Sequence, residues 1–256
     1  MGRLAIVTWL FGRQPKKWRQ LKYGPFLPEH VNALRRACAL NIRVPHRFVA
    51  LADDPAGIEG EVWRAPPEIV LNGHEACYRR LKAFDAEFQA SLEAEFVLQL
   101  DLDIAFAGDA TALIEAAMAR DFTILEGSRW ERDGTLCSHY NGSIWLCRAG
   151  ARTRFWSEFI ADLGAAGRRR EAFRMPNGKR AHGSDQAWLS ALSQDEAVWT
   201  PETGVMQYRT LKGKPVPESV RILAFAGPDK PWGPEVMRER PEIAALWRRY
   251  AERGAA

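Results

Sequence analysis

FVLQLDLDIAF, residues Phe96–Phe106, is an apolar run that takes in two aspartates, Asp101 and Asp103, and then continues apolar. Burying an unpaired charge is costly, so a core strand gains nothing from two carboxylates at this spacing unless they serve something. In an extended chain, side chains at i and i+2 point to the same side. The spacing therefore predicts two carboxylates converging where a central strand emerges. Two hard oxygen donors at such a spot suit Mg²⁺ or Mn²⁺, and such a cation could hold a diphosphate. The same letters also fit a strand that has reached the surface and ends in two solvated carboxylates. The apolar residues on both sides weigh against that.

Outward from this stretch, strands and helices alternate. Leu4–Phe11 is a continuous apolar run of strand length, and 12–26 reads as a basic loop. Pro28 and Glu29 open a helix through Asn41, with proline in the first turn and an early acidic charge. Arg47–Ala52 is a strand ending in Asp53 and Asp54, and Glu61–Arg64 a short third one. A helix from Ala76 carries CYRRLKAFDAEF. After the aspartates come a helix over Asp109–Ala119, strands over Phe122–Leu125 and Gly142–Cys147, and a helix over Ala151–Leu163. Ser184–Leu192 is a helix with Ser184 as its N-cap. Val198–Thr200, Val205–Tyr208 and Val220–Phe225 read as short strands, and Pro241–Arg253 as a helix closing the C-terminal region 236–253. This alternation argues for an α/β fold with a mostly parallel central sheet flanked by helices. No linker divides the chain, so one domain over 1–256 is expected. Ligands of open α/β sheets sit beyond the carboxyl ends of strands. Thr8 and Trp9, Asp53 and Asp54, and Asp101 with Asp103 all fall at such ends.

Composition narrows the function. The net charge of +4 is spread along the chain, which fits anionic small molecules better than duplex DNA. The four cysteines, Cys38, Cys77, Cys137 and Cys147, form no CxxC pair; they read as reduced thiols of a cytosolic protein. The N-terminal apolar run lacks a small-residue cleavage site and contains Trp9, so it reads as a strand rather than a signal peptide.

The order of motifs resembles the nucleotide-sugar glycosyltransferases of the GT-A fold, in particular the retaining family of the glycogenin and lipopolysaccharide galactosyltransferase types. The pieces are LAIVTW, CYRRLKAF, VLQLDLDIAF, NGSIWLCR, GSDQAWL and FAGPDKPW, between Leu4 and Trp232. The resemblance implies a Rossmann-like GT-A domain, a nucleotide-sugar donor and a divalent cation, Mn²⁺ or Mg²⁺. It implies that Asp101 lies near ribose and metal and that Asp103 ligates the metal. Thr8 and Trp9 would begin the nucleotide pocket, with Asp53 near base or ribose. Arg79 or Lys82 would face the diphosphate, and Asn141 and Gly142 the donor sugar. Asp185 and Gln186 match the acidic-amide pair near the reacting carbon. Gly227, Lys230 and Trp232 match the loop whose lysine contacts the diphosphate. The acceptor, a glycan, lipid or protein, is not identified. A cytoplasmic location is implied, with the inner face of a membrane as the alternative on which the C-terminal helix with Leu246, Trp247, Arg248 and Arg249 could rest.

One departure stands out. The family carries a histidine metal ligand a few residues before the Gly-x-x-Lys-Pro-Trp loop, and here Ala224 or Phe225 stands there. Neither can ligate a metal. His182 is a possible substitute ligand; otherwise metal binding is weak, donor-dependent or lost. Each site residue also has a structural reading: Asp53 ends a strand, Asp185 sits in a first helical turn, and Arg79 or Arg80 forms a solvated face. Trp145, Trp156 and Trp188 sit at core spacing. A sugar-phosphate nucleotidyltransferase is the other enzyme reading, but Gly12, Arg13, Lys16 and Lys17 make a poor phosphate loop. A nucleotide-sugar binding protein without catalysis is the non-enzymatic one.

Overall fold

A computed structural model describes residues 2–11, 25–66, 75–132, 135–165, 172–174, 180–182, 185–193, 195–227 and 229–252. Most of the basic loop over 12–26, Ser184, Arg168–Arg170, Lys179 and the side chain of His182 lie outside the described residues. In chain order the elements are β1 (Gly2–Leu10), α1 (Pro28–Asn41), β2 (His46–Ala52), β3 (Glu61–Arg64) and α2 (Glu75–Tyr78), which runs into a 3-10 helix (Arg79–Phe84). Next come α3 (Ala86–Ser91), β4 (Ala94–Leu100), β5 (Ile104–Phe106), α4 (Thr111–Met118), β6 (Phe122–Arg132) and β7 (Thr135–Arg148). Then follow α5 (Arg154–Ala165), β8 (Ala172–Arg174), β9 (Arg180–His182), α6 (Asp185–Leu192), β10 (Ala197–Trp199), β11 (Val205–Gln207), β12 (Ile222–Ala224), α7 (Pro234–Glu239) and α8 (Pro241–Ala251).

Seven strands form the central sheet in the order β10-β6-β7-β4-β1-β2-β3. All pairings are parallel except those of β7 with β4 and β6. The expected α/β fold with a mostly parallel sheet is what the chain adopts. The continuous apolar runs explain its centre. Leu4, Ala5, Ile6 and Val7 of β1 are fully buried, as strands covered on both faces must be. Leu4 and Ile6 enter one core cluster, with Phe96, Leu98 and Leu100 of β4 and Val31, Leu34 and Cys38 of α1. Ala5 and Val7 enter the opposite one, with Val97, Phe84, Trp145 and Phe155. Each buried aliphatic side chain contributes roughly 1.5–3 kcal/mol, and the run admits no polar group before Thr8, whose hydroxyl donates to Leu100 O at 2.8 Å. α1 begins at Pro28 and is capped by His30, whose Nδ1 accepts from Leu27 N at 2.8 Å. Burial pulls the His30 pKa down to about 4, so the ring is a neutral acceptor.

The structure departs from the sequence reading at several elements, and the C-terminal region 236–253 is two helices, α7 and α8, that meet at Arg240. The strand expected to end in the paired aspartates stops at Leu100 as β4, and Asp101–Asp103 forms the turn into a further strand, β5. β5 leaves the central sheet and pairs antiparallel with β12, which pairs parallel with β11. The aspartates therefore share a location because they form the joint between two sheets, not because they alternate along one strand. The helix expected from Ala76 breaks at Asp85, whose extended backbone (φ −70°, ψ 133°) starts α3. The two strands expected at Phe122–Leu125 and Gly142–Cys147 are the ends of a long antiparallel hairpin, β6–β7.

A third core cluster, with Ala105, Met206, Leu223, Phe225, Val236 and Ile243, joins the small sheet to the C-terminal helices. On α8, Ile243, Ala244 and Tyr250 are buried, and Trp247 packs 5.3 Å from the Trp232 ring. Among the described residues no helix is long and apolar enough to cross a membrane.

Candidate active site

The C-terminal edge of the central sheet gathers charged side chains around the turn after β4. Asp101 is fixed through its backbone, whose N–H donates to Ser143 O on β7 at 2.8 Å. Its Oδ1 accepts from Gln99 Nε2 at 2.9 Å and from Arg80 Nη1. Arg80 also reaches Asp185 Oδ2 through Nη2 at 2.6 Å. One guanidinium thus bridges two carboxylates from different elements. Burial opposes its charge, but Asp101 and Asp185 more than offset this and raise its pKa further. The arginine fork suits such bidentate duty.

Asp103 lies beside this bridge. Its carboxylate Oδ2 accepts from Lys230 Nζ, and both side chains are nearly enclosed, at 6% and 7% exposure. Its carbonyl accepts from Phe225 N at 3.2 Å. Burial pushes the Asp103 pKa up, Lys230 opposes this, and Asp101 adds to the rise. Asp185 behaves alike: burial raises its pKa, Arg80 opposes and Asp101 adds. The two sites feel one another, as carboxylates gathered at one place must.

Asp185 is the first residue of α6. That helix is held on β7 by Ser190, whose Oγ accepts from His139 N (2.9 Å) and Tyr140 N (3.1 Å). Gly142 meets the helix start: its N–H donates to Gln186 Oε1 at 3.4 Å. A Cβ there would lie 3.3 Å from Asp185 Oδ2 and from Gln186 Cγ, a tight contact that glycine avoids. Asn141 is buried and braces the turn through Oδ1, which accepts from Ser143 N at 2.8 Å.

The structure therefore brings together Asp101, Asp103, Asn141, Gly142, Asp185, Gln186 and Lys230, and adds Arg80, which sequence reasoning had left as half of a solvated face. Neither arginine is solvated. Arg79 is 2% exposed. It binds Asp53 with both Nη atoms (2.5 and 3.1 Å) and Pro66 O with Nε (2.7 Å), and it lies over the Phe11 ring at 4.4 Å. Lys82 turns elsewhere, to Asp85 and the face of Trp156. Thr8 ties β1 to β4, and Trp9 packs against Phe11 and Phe88. Trp232 stacks on His30 at 3.9 Å. Gly227 adopts φ +67°, a conformation that favours glycine. Trp145 and Trp188 are core residues, as their spacing predicts.

Several buried polar atoms of this cluster have no hydrogen-bond partner among the described residues: Asp185 Oδ1, Gln99 Oε1 and Arg80 Nε. Native proteins rarely leave such atoms unpaired without reason. No group of three or more potential metal ligands occurs among the described residues. At the position where the resemblance would place a histidine, Ala224 pairs with Ile104 across the small sheet, and Phe225 is buried against Tyr208. Burial, with Asp185 next in weight, pushes the Cys77 thiol up to about 12.

No family model matches the chain, and no curated protein matches its sequence. Among solved structures it is similar to galactosyltransferase LgtC, determined in complex with donor and acceptor sugar analogs. The TM-score is 0.58 at 14% identity, over 96% of this chain and 95% of that one. That likeness spans nearly the whole of both chains and shows the fold, a GT-A fold.

Proposed function

We propose that the protein is a glycosyltransferase that moves a sugar from a nucleotide-diphosphate sugar, UDP-linked in the first instance, to an acceptor on a glycan, lipid or protein. The observation that carries this reading is the cluster of three carboxylates and two cations, Asp101, Asp103, Asp185, Arg80 and Lys230, at the ligand-binding edge of a GT-A sheet. Breaking the bond between the anomeric carbon and a phosphate oxygen puts negative charge on the diphosphate and positive charge on the sugar ring. Lys230 and Arg80 stabilise the first where it develops. Asp185, held by Arg80 through Oδ2 and with no partner for Oδ1 among the described residues, offers a carboxylate oxygen to the second. Gly142 and Gln186 shape the space beside it for the donor sugar, with Asn141 bracing the turn. Asp53 and Arg79 wall the nucleotide side.

The donor set fits a divalent cation in one way only. Mg²⁺-type sites need just one or two protein carboxylates when substrate phosphates complete the shell. Asp101 and Asp103 provide those two, and the buried apolar Ala224 provides no third. Bound there, the cation would supply Lewis acidity to the leaving diphosphate. The absent third ligand also favours a second reading, a protein that binds the donor without transferring the sugar.

The test is a panel of nucleotide sugars screened for thermal stabilisation, since a ligand bound only by the folded state raises the melting temperature. The stabilising donors are then assayed for transfer or hydrolysis. Stabilisation with turnover is the expected result. Stabilisation without turnover selects the binding protein, and no response to any nucleotide sugar sinks both.

A further inference from the structure

Resting on that reading of the site, we propose that Lys230 is an internal counter-ion for Asp103. It holds the carboxylate in the donor-free protein and gives it up when a diphosphate arrives, so that the divalent cation and the nucleoside diphosphate enter as a coupled pair. The geometry separates what is fixed from what can move. Asp103 is anchored on the joint between the two sheets, with its carbonyl accepting from Phe225 N at 3.2 Å. The Lys230 backbone is also tied, its carbonyl accepting from Gly233 N at 2.8 Å. The lysine side chain is a flexible four-carbon stem, and its ammonium also lies 5.3 Å from the centre of the Phe26 ring.

Charge explains why neither ligand enters well alone. Asp101, Asp103 and Asp185 carry three negative charges, and Arg80 and Lys230 carry two positive ones, an excess of one negative charge. A diphosphate alone adds to that excess. A divalent cation alone must displace an ammonium from a nearly enclosed carboxylate, at 7% and 6% exposure, and strand it there. Stranding one partner of a buried ion pair is strongly unfavourable. Together the two ligands remove both obstacles, because the ammonium moves onto the diphosphate as the carboxylate is released. With a histidine at Ala224 a cation would have a ligand that no lysine blocks; here every carboxylate of the pair is already engaged.

The experiment measures Mn²⁺ binding to the full-length chain by electron paramagnetic resonance and calorimetry, with and without saturating UDP. For the wild-type protein, UDP should tighten Mn²⁺ binding by about 10- to 100-fold, within the usual range of coupling between sites. In Lys230→Met, Mn²⁺ alone should bind at least about tenfold tighter than to wild type, and UDP alone weaker. Lys230→Arg, which keeps the charge, should leave Mn²⁺ alone as weak as in wild type. Lys230→Gln, which leaves Asp103 a hydrogen-bond donor, reads the same quantity if the Met variant does not fold. Equal Mn²⁺ affinity in wild type and in Lys230→Met or Lys230→Gln, without UDP, overturns the counter-ion role. Failure of UDP to bind under any condition overturns the glycosyltransferase reading instead, and the comparison with Mn²⁺ alone still decides the role of Lys230.

Discussion

Two clusters of ion pairs sit at the same edge of the sheet, and they are built differently. At the end of β2, Asp53 binds Arg79 through both carboxylate oxygens, and the guanidinium is also bound to Pro66 O and laid over Phe11. At the end of β4, among the described residues, three carboxylates share two cations, and a carboxylate oxygen, an amide oxygen and a guanidinium nitrogen have no hydrogen-bond partner. The arginines of the two clusters are neighbours in sequence. A balanced, fully bonded pair stabilises a fold. An unbalanced buried cluster costs stability and persists where a ligand completes it, which is the physical sense in which perturbed groups mark function.

The comparison breaks first at Asp185. Asp185→Asn keeps the shape and removes the charge, and transfer should fall about 10³-fold, the scale of losing one group aimed at transition-state charge. The same variant should stabilise the fold at neutral pH. Burial raises the Asp185 pKa, so the folded protein binds its proton more tightly than the unfolded chain does. Its stability penalty is therefore absent below the ordinary carboxylate range, grows as pH rises through the raised value and is complete above it. Unfolding curves of both proteins across that interval should diverge as pH climbs. A constant gap would show that the carboxylate is already satisfied.

Next in size is Arg79. Arg79→Met should lower the unfolding free energy by about 2–3 kcal/mol, less than the 3–5 typical of a broken buried pair, because the Asp53 side chain is 32% exposed. The parallel variant Arg80→Met should show the larger share of its effect in transfer. If the two variants exchanged their effects, the division into a structural and a functional cluster would be wrong.

Much of this contrast was legible in the sequence, though not all for the reasons first apparent. The apolar runs of β1 and β4 and the Pro28 start of α1 fix the centre of the sheet by burial alone, and they were readable as written. The aspartates were readable as a mark, but the i, i+2 argument mistook a turn for a strand. The switch into β5 depends on pairing with β12, more than a hundred residues away, and no local pattern reports that. The hairpin β6–β7 escaped because its middle lacks strand alternation; the Asp133-Gly134 dipeptide was the signal that could have found it. Arg79 and Arg80 could not be told apart, since a helical reading puts one of them in solvent, whereas the 3-10 turn buries Arg79 and engages Arg80 with Asp101 and Asp185. Trp9 reads as a ligand contact because it stands near a strand end, and in space neighbouring rings cover it.

A smaller change sharpens the geometry of the unbalanced cluster. In Gly142→Ala the new methyl would lie 3.3 Å from Asp185 Oδ2 and Gln186 Cγ. That contact is tight enough to push the start of α6 by a few tenths of an ångström. Transfer should drop about tenfold, as small misplacements of reacting groups do, while the melting temperature stays close to wild type. A large loss of stability with transfer intact would place Gly142 in packing rather than in the site.

The smallest expected effect tests where the clusters stop. Lys82 shares its segment, CYRRLKAF, with both arginines, and the resemblance left it equal to Arg79 as a contact for the diphosphate. In space it pairs with Asp85 three residues on and lies 5.1 Å from the centre of the Trp156 ring. With a side chain 29% exposed, such a pair is worth about 0.5 kcal/mol or less after solvent screening. Lys82→Ala should therefore leave transfer within about twofold of wild type, the factor that such an energy corresponds to. Loss of transfer in Lys82→Ala would mean that its side chain swings to the donor when the donor binds. The boundary of the functional cluster would then be set by the ligand rather than by the pairing seen without it.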